Sequence, residues 1–238
     1  MTGWAPRRFW KATTVAPRDG GFAVLLDDRP LHTPARRPAL LPARALAEAV
    51  AAEWDAQEGT LAPATMPLTR LVNAALDTVS EHRAQVIAAT AAFGETDLTC
   101  YRAAHPQGLA HRQAVAWDGL LDWLAGATGA RLCTVCGVTF APQPPEALAC
   151  LRDTIAAHDD FALTALHELT SLSGSLVIGL AAARGARDLD ALWQAARIDE
   201  DWQAEQWGRD DEAEAAAADR KAAFLRAHGF LTLSRPGI

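Results

Sequence analysis

The sequence predicts an α+β fold, with a small antiparallel β-rich N-terminal region followed by a larger, mainly helical one. Two changes of pattern carry this reading. Apolar residues alternate in short runs around turn signals over residues 8–33, the period of half-buried strands, and from Arg44 onward they recur at helical spacing. The chain has 238 residues, enough to bury one large core or two small ones. The domains expected are 1–60, β-rich, and 61–238, helical. The boundary is soft, because a later strand within 131–140 is a candidate to join the first sheet.

Trp10, Ala12 and Thr14 alternate before Arg18-Asp19-Gly20-Gly21, and Asp-Gly is a strong short hairpin signal. Phe22 to Leu26 is the return strand, Asp27-Asp28-Arg29 a second turn, and Leu31-His32-Thr33 a short third strand. Pro30, Pro34, Pro38 and Pro42 punctuate a non-helical crossing. A helix from Arg44 carries Leu46, Ala49, Val50 and Trp54 on one face and ends near Gln57 or Gly59. The next starts at Thr65-Met66-Pro67, with proline in a favoured first-turn position and a stripe of Leu68, Leu71, Val72, Ala75, Leu76 and Val79. A helical pattern resumes at Ser80 and is closed by Gly94.

Arg112 to Leu124 is expected to be helical, with Trp117, Leu120, Leu121 and Leu124 on its stripe. Leu132 to Phe140 alternates like a strand. Glu146 to Ala157, Phe161 to Ala183, Asp188 to Trp207 and Asp211 to Ala227 are the remaining helices. The second of these is apolar almost all round. Its stretch from Leu169 to Ala183 is shorter than the roughly 20 apolar residues of a membrane span, so a central core helix without membrane insertion is expected.

The formal net charge of −7 argues against a general nucleic-acid binder, and no nucleic-acid partner is expected. Arg29, Arg36, Arg37 and Arg44 could form a local basic patch, but one without interleaved aromatics. Four cysteines do not make a disulfide framework in a chain this long. Met1 to Lys11 has no apolar signal-peptide core, and the composition fits a bacterial cytoplasmic protein.

Most apparent catalytic motifs are incomplete. Cys133-Thr134-Val135-Cys136 has the spacing of half a zinc site, yet the chain offers no second pair at matching spacing. Residues three apart in a strand point to opposite faces, so buried structural cysteines are expected there. His167-Glu168-Leu169-Thr170-Ser171 lacks the second histidine of a zinc protease. His105 and His111 flank a turn at poor ligand spacing. Ser173-Gly174-Ser175 lacks the strand-to-helix frame of a nucleophile elbow, and its small residues are read as room for another helix. With neither a phosphate-binding loop nor a dinucleotide fingerprint, no cofactor and no metal are expected.

The stretch from Asp199 to Gly208, followed by Asp210-Asp211-Glu212, is unusual. It is too acidic for an ordinary core helix and too rich in tryptophan for a solvated one. On one continuous helix Leu189, Leu192, Trp193, Ala196, Glu200, Gln203 and Trp207 share a face, so Glu200 and Gln203 fall within an apolar stripe. Ile198, Trp202 and Glu205 lie on another face. One reading buries this helix on two sides and pairs its carboxylates with arginines. The other makes it a polar, aromatic surface that holds another protein chain, since aromatic anchors beside fixed polar groups make interface hot spots. A carboxylate-dependent hydrolase using the Asp199–Asp211 cluster, or a scaffold for another complex, are the further alternatives.

Several segments in order resemble the assembly chaperones of the ATP synthase F1 sector, which hold the unassembled α subunit. They are Arg8-Phe9-Trp10-Lys11, Leu26-Asp27-Asp28-Arg29-Pro30-Leu31, Glu53-Trp54-Asp55-Ala56-Gln57, Met66-Pro67-Leu68-Thr69-Arg70-Leu71, Thr96-Asp97-Leu98, Cys100-Tyr101-Arg102-Ala103, Gly174-Ser175-Leu176 and the block from Asp199 to Ala213. The chain departs from the family pattern at Asp28, where glycine is expected, and at Thr99, which interrupts an apolar run. The resemblance implies a non-enzymatic, ATP-independent chaperone whose partner is the F1 α subunit, and homologues of the family act in mitochondria; a monomer is expected. On this reading the partner-binding residues are Asp199, Glu200, Trp202, Gln203, Glu205, Trp207, Asp210 and Glu212. Glu200, Glu205 and Asp210 imitate polar groups of the β-subunit edge, Trp202 is the anchor, and Trp207 and Gln203 hold the helix from behind. Trp10, Glu53, Trp54 and Arg70 are assigned structural roles.

Overall fold

A computed structural model describes residues 7–237. Residues 1–6, part of the stretch read for a leader, and residue 238 lie outside the described residues. The fold is α+β: a small N-terminal antiparallel sheet, then a mainly helical region. The chain forms two compact units, one of Met1–Arg83 with Asp160–Thr164 and Gly229–Ile238, the other of Ala84–Asp159 with Ala165–His228.

In the first unit, β1 (Thr13–Arg18) and β2 (Gly21–Leu26) form the antiparallel hairpin signalled by Asp19-Gly20, with Arg18 opposite Gly21. Gly20 has φ 87°, a left-handed value that side chains resist. The other edge of β2 pairs with β3 (Arg29–Pro30) and β4 (Leu40–Leu41). The third strand therefore falls earlier than the expected Leu31 to Thr33. His32 instead bridges Pro38. In the turn before β3 the positive φ of 55° falls on Asp27, not Asp28, so an aspartate at position 28 is no obstacle. The Asp27 carboxylate accepts from the backbone N–H of Ala12 at 3.0 Å and of Lys11 at 2.9 Å, and these bonds hold its pKa below the ordinary value.

Helix α1 (Arg44–Asp55) lies against β1 and β2, burying Leu46, Ala47, Val50 and Ala51. Its C-terminal residues organise the next turn and the next helix. Glu53 accepts from the backbone N–H of Leu68 (2.7 Å) and Thr69 (2.8 Å) and from the Thr69 hydroxyl (2.7 Å). It therefore caps the start of α2 (Pro67–Asn73) from a different helix. The Trp10 ring is 3 % exposed and its centroid lies 5.2 Å from that of Trp54. Arg8 pairs with Asp55 and lies over Trp10, 5.4 Å from the ring centroid. Buried Gln57 donates to the Glu53 carbonyl and the Thr65 hydroxyl and accepts from Ala62 N–H, shaping the turn before α2. Trp10, Glu53 and Trp54 thus each contact other residues of this unit.

Helix α2 continues into a wider turn, Ala74–Val79, in which Ser80 N–H reaches the Ala75 carbonyl. Asp77 in this turn accepts from the Thr33 hydroxyl and Ala35 N–H, tying down the proline-rich crossing. Arg37 donates to the Leu76 carbonyl and pairs with Glu81, and Arg44 pairs with Glu48. Two of the four arginines read as a candidate basic patch are thus each paired with a neighbouring carboxylate.

In the second unit, α3 (Arg83–Ala92, all but its first residue) leads to a short turn at Leu98–Cys100 and β5 (Tyr101–Arg102). Helix α4 (Gln107–Thr128) buries Trp117, Leu120 and Leu124, and the Trp117 indole donates to the Ala195 carbonyl at 2.8 Å. Of the stretch expected as strand over 132–140, only β6 (Val135–Cys136) forms. It pairs in parallel with β5, not with the first sheet. Cys133 and Cys136 are consequently exposed, against the expectation of burial, because most of that stretch is loop. Cys100 is the buried thiol, pushed up to about 12 by burial and then by the Asp97 charge.

Helix α5 (Pro145–Ala156) is followed by the helix expected over Phe161 to Ala183, which is broken into α6 (Asp160–Ser173) and α7 (Leu176–Ala183). Gly174 takes φ 71° at the break and has no neighbour that a side chain would strike, so it serves the turn rather than a close helix approach. The close approach occurs at Gly179, where a Cβ would come within 2.5 Å of the Thr170 hydroxyl. Fully buried Asp97 accepts from Ser175 Oγ (2.7 Å), Thr99 Oγ1 (2.8 Å) and the backbone N–H groups of Thr99 and Val177. Burial raises the pKa of its carboxyl; the four donors oppose that rise. Thr99 is therefore a ligand of a buried carboxylate, which explains a polar residue within an apolar run. Ser175 also caps α7. The remaining helices are α8 (Leu189–Ala196), α9 (Ile198–Trp207) and α10 (Asp211–Ser234), whose last residues belong to the first unit. No helix among the described residues is long and apolar enough to cross a membrane.

Candidate partner-binding surface

The acidic, tryptophan-bearing block does not continue α8. That helix ends at Arg197, with φ −117° and ψ 12°, and α9 begins at Ile198. The break resets the helical phase, so the expected placement of Glu200 and Gln203 within an apolar stripe is wrong. Asp199, Trp202 and Glu205, spaced by three, instead face α4, while Glu200, Gln203 and Trp207 turn to solvent. Asp199, Glu200 and Asp201 fill the first turn, where the helix dipole favours negative charge.

Helix α4 supplies the seat. At Gly108 a Cβ would come within 2.8 Å of the Trp202 ring, so a side chain there would push the indole away. One turn on, Arg112 lies over the Trp202 ring at 4.7 Å from its centroid and grips both Glu205 oxygens at 2.8 Å. The hydrogen bond from Arg112 holds the Glu205 pKa below the ordinary value, and that of Arg112 is raised in return. Buried Gln113 donates to Asp199 at 2.7 Å and accepts from Ala103 N–H at 2.7 Å. Trp202 is thus half-buried against its own chain.

Trp207 has the opposite fate. Its side chain is 88 % exposed, so it does not hold the helix from behind, and Gln203 is exposed beside it. Glu200 pairs with no group among the described residues. Gly208 ends the helix at φ 97° and ψ 158°, a conformation essentially restricted to glycine. Asp210 then accepts from Ala213 N–H at 2.8 Å and caps α10, and Glu212 is exposed in the first turn of that helix.

Helix α9 forms a ridge with a depression on either flank. On one side a groove of about 480 Å³ runs between Glu200, Gln203 and Trp207 and the small residues Ala213, Ala216 and Ala217 of α10. A cleft of about 230 Å³, including Trp193, Ser173 and Gly174, shares Arg197, Glu200 and Arg220 with it. On the other flank a depression of about 540 Å³ is lined by Tyr101, His105, Leu109, Val138, Asp199 and Gln203; Val138 is 98 % exposed. Eight carboxylates and two arginines fall between Arg197 and Glu214, so the surface is strongly acidic.

Three carboxylates of the Asp199–Asp211 cluster are engaged within the fold: Asp199 is held by Gln113, Glu205 by Arg112 and Asp210 by the α10 backbone. Among the described residues no group of three or more histidine, cysteine or acidic side chains could hold a metal ion. His167 is engaged by the Thr90 hydroxyl at 3.0 Å. Arg112, Gln113 and Gly108 were not legible as site residues, since nothing in their local pattern distinguishes them from an ordinary helix start. The Ala213, Ala216 and Ala217 wall was legible in principle, as small residues at helical spacing.

In the first unit Arg70, expected to be structural, is exposed and has no side-chain partner among the described residues.

A family model described as the ATP12 chaperone protein matches residues 7–125. The chain is also similar to the solved structure of Atp12 from Paracoccus denitrificans, with 47% identity and a TM-score of 0.92, covering 96% of this chain and 98% of that one. An aspartate-to-lysine variant of the P. denitrificans protein matches at 46% identity and TM-score 0.93, over 96% of this chain and 98% of that one. A structure described as a chaperone candidate from Agrobacterium tumefaciens matches at 43% identity and TM-score 0.89, over 96% of this chain and 86% of that one.

Proposed function

The chain belongs to the ATP12 chaperone family, and from that premise we propose that it holds the ATP synthase F1 α subunit before assembly with β. An unassembled subunit exposes apolar surface that aggregates at useful concentrations, and a holder must cover that surface yet yield it. The observation that carries the reading is the outer face of α9. Glu200, Gln203 and Trp207 are fixed on a rigid helix, beside an open groove, and are not used by the chain itself. A polar and aromatic patch of this kind suits a transient contact better than a dry, obligate interface does.

The proposed contact set is Asp199, Glu200, Gln203, Glu205, Trp207, Asp210 and Glu212, with Trp207 rather than Trp202 as the aromatic anchor. Trp202, Arg112 and Gly108 set the height and tilt of the ridge. The holding is independent of ATP and involves no covalent chemistry, and the protein acts as a monomer in the bacterial cytoplasm.

The test is suppression of aggregation of purified α subunit from the same source, with β as control and no ATP. Selective protection of α, abolished by Glu200→Lys with circular dichroism and melting unchanged, is the expected result. Failure of the folded wild-type chain to bind α overturns the choice of client. Undiminished protection by both Glu200→Lys and Trp207→Ala overturns the placement of the contact on α9.

A further inference from the structure

We propose that the first unit carries a second partner site, a groove that takes an acidic peptide bearing large apolar side chains. The groove has a volume of about 550 Å³, within the range of ligand-sized pockets. Its apolar surface comes from Trp54, Leu61, Pro63 and Met66, and the exposed residues Arg70 and His32 also line it. Met66 and Arg70 are four apart at the start of α2, whose first turn is clamped by Glu53, so the thioether and the guanidinium are presented from one held backbone.

Charge chooses the occupant. Acidic residues outnumber Lys and Arg by 29 to 22 in the whole chain, yet no carboxylate lines this groove. Its ionisable groups are Arg70 and His32. Three other arginines of the same unit are paired within it, Arg8 with Asp55, Arg37 with Glu81 and Arg44 with Glu48, and the exposed Arg29 and Arg36 do not line the groove. Arg70 has no such partner among the described residues. A guanidinium left free beside an apolar surface matches a carboxylate flanked by apolar groups, which it can hold through two parallel bonds.

The polar groups suit a peptide rather than a bare hydrocarbon acid. The Thr33 and Thr69 hydroxyls are engaged by Asp77 and Glu53, which leaves the Asn73 amide of the lining to meet a chain with backbone donors and acceptors. The Trp54 indole N–H is buried and has no acceptor among the described residues, so its resonance reports on changes at this groove. Met66 contributes a side chain that adapts to differently shaped partners.

The experiment uses the full-length chain, nitrogen-15 labelled, titrated with short capped peptides that alternate phenylalanine and leucine with aspartate and glutamate. Peptides with lysine or with asparagine and glutamine at the acidic positions, and laurate, are run in parallel. The expected result is selective binding of the acidic peptide, with shifts of the Trp54 indole N–H and the backbone of residues 66–73. Arg70→Glu weakens that binding by roughly tenfold or more, while Arg70→Lys retains part of it and both keep the wild-type melting temperature. Equal binding of the lysine peptide, unchanged binding by Arg70→Glu, tighter binding of laurate than of any peptide, or shifts confined to α9 would each overturn the proposal. Because no ATP synthase subunit is used, the outcome is independent of the reading of the α9 surface.

Discussion

Two segments of this chain look alike in sequence and have opposite fates. Glu53-Trp54-Asp55-Ala56-Gln57 and Asp201-Trp202-Gln203-Ala204-Glu205-Gln206-Trp207 both combine acids, glutamine, alanine and tryptophan at a helix end. In the first, the structure uses nearly every polar group: Glu53 caps α2, Asp55 pairs with Arg8, and Gln57 shapes the turn between the helices. In the second, only one face is used: Trp202 and Glu205 are held by α4, whereas Gln203, Gln206 and Trp207 face water. Residue type alone did not decide which segment became structural. What decided it was whether another element placed donors opposite the carboxylates, since a buried polar group is tolerated only when partnered.

The strongest way to break this contrast is to remove Glu53. Glu53→Ala leaves two backbone N–H groups and one hydroxyl at the start of α2 without their acceptor, and is expected to cost about 2–3 kcal/mol of stability in urea unfolding. A loss no larger than that of an ordinary surface substitution would mean that the cap is not what holds α2. Gln57→Ala removes the acceptor of Ala62 N–H and a donor to Thr65, and should cost about 1–2 kcal/mol in the same measurement.

Trp207→Ala should change stability by no more than about 0.5 kcal/mol, as for a surface residue, while reducing protection of the α subunit. Destabilisation on the scale of Glu53→Ala would erase the distinction between the two segments. The smallest effect belongs to the Arg112–Glu205 pair, which is exposed and screened by salt. The folded-state pKa of Glu205 lies below its usual 4.5, so the stabilisation is present above that value and is lost as pH falls through the lowered folded one. Thermal melts of wild type and Glu205→Gln, compared from neutral pH down through the carboxylate range, should converge at the acid end, with the gap narrower in high salt.

The buried carboxylate of Asp97 sharpens the same lesson. It lies in a stretch that sequence pattern did not assign to helix or strand, and its partner Ser175 is far along the chain. The residues Thr96-Asp97-Leu98 and Gly174-Ser175-Leu176 both carried the family resemblance, but nothing local indicated that they meet. The break after Ser173 and the break at Arg197 were missed for the same reason. Helical periodicity runs smoothly through both, and the interruptions come from a left-handed glycine in one case and a single residue leaving helical geometry in the other. The second of these rotated Glu200 and Gln203 out of the predicted stripe. Arg70, read as structural within a segment that carries the family resemblance, is exposed.

Local chemistry by itself determined the Asp19-Gly20 hairpin, the start of α2 at Pro67, most of the core stripes, the α+β class and the family, because each depends on short-range propensity, periodicity or residue identity in order. Tertiary structure alone decided which carboxylates are consumed by helix ends, which tryptophan is free, and where the grooves lie. Those outcomes depend on which donors and rings are brought opposite one another by residues distant in the chain. A one-residue interruption turns a helix face through about 100°, more than enough to exchange inside for outside.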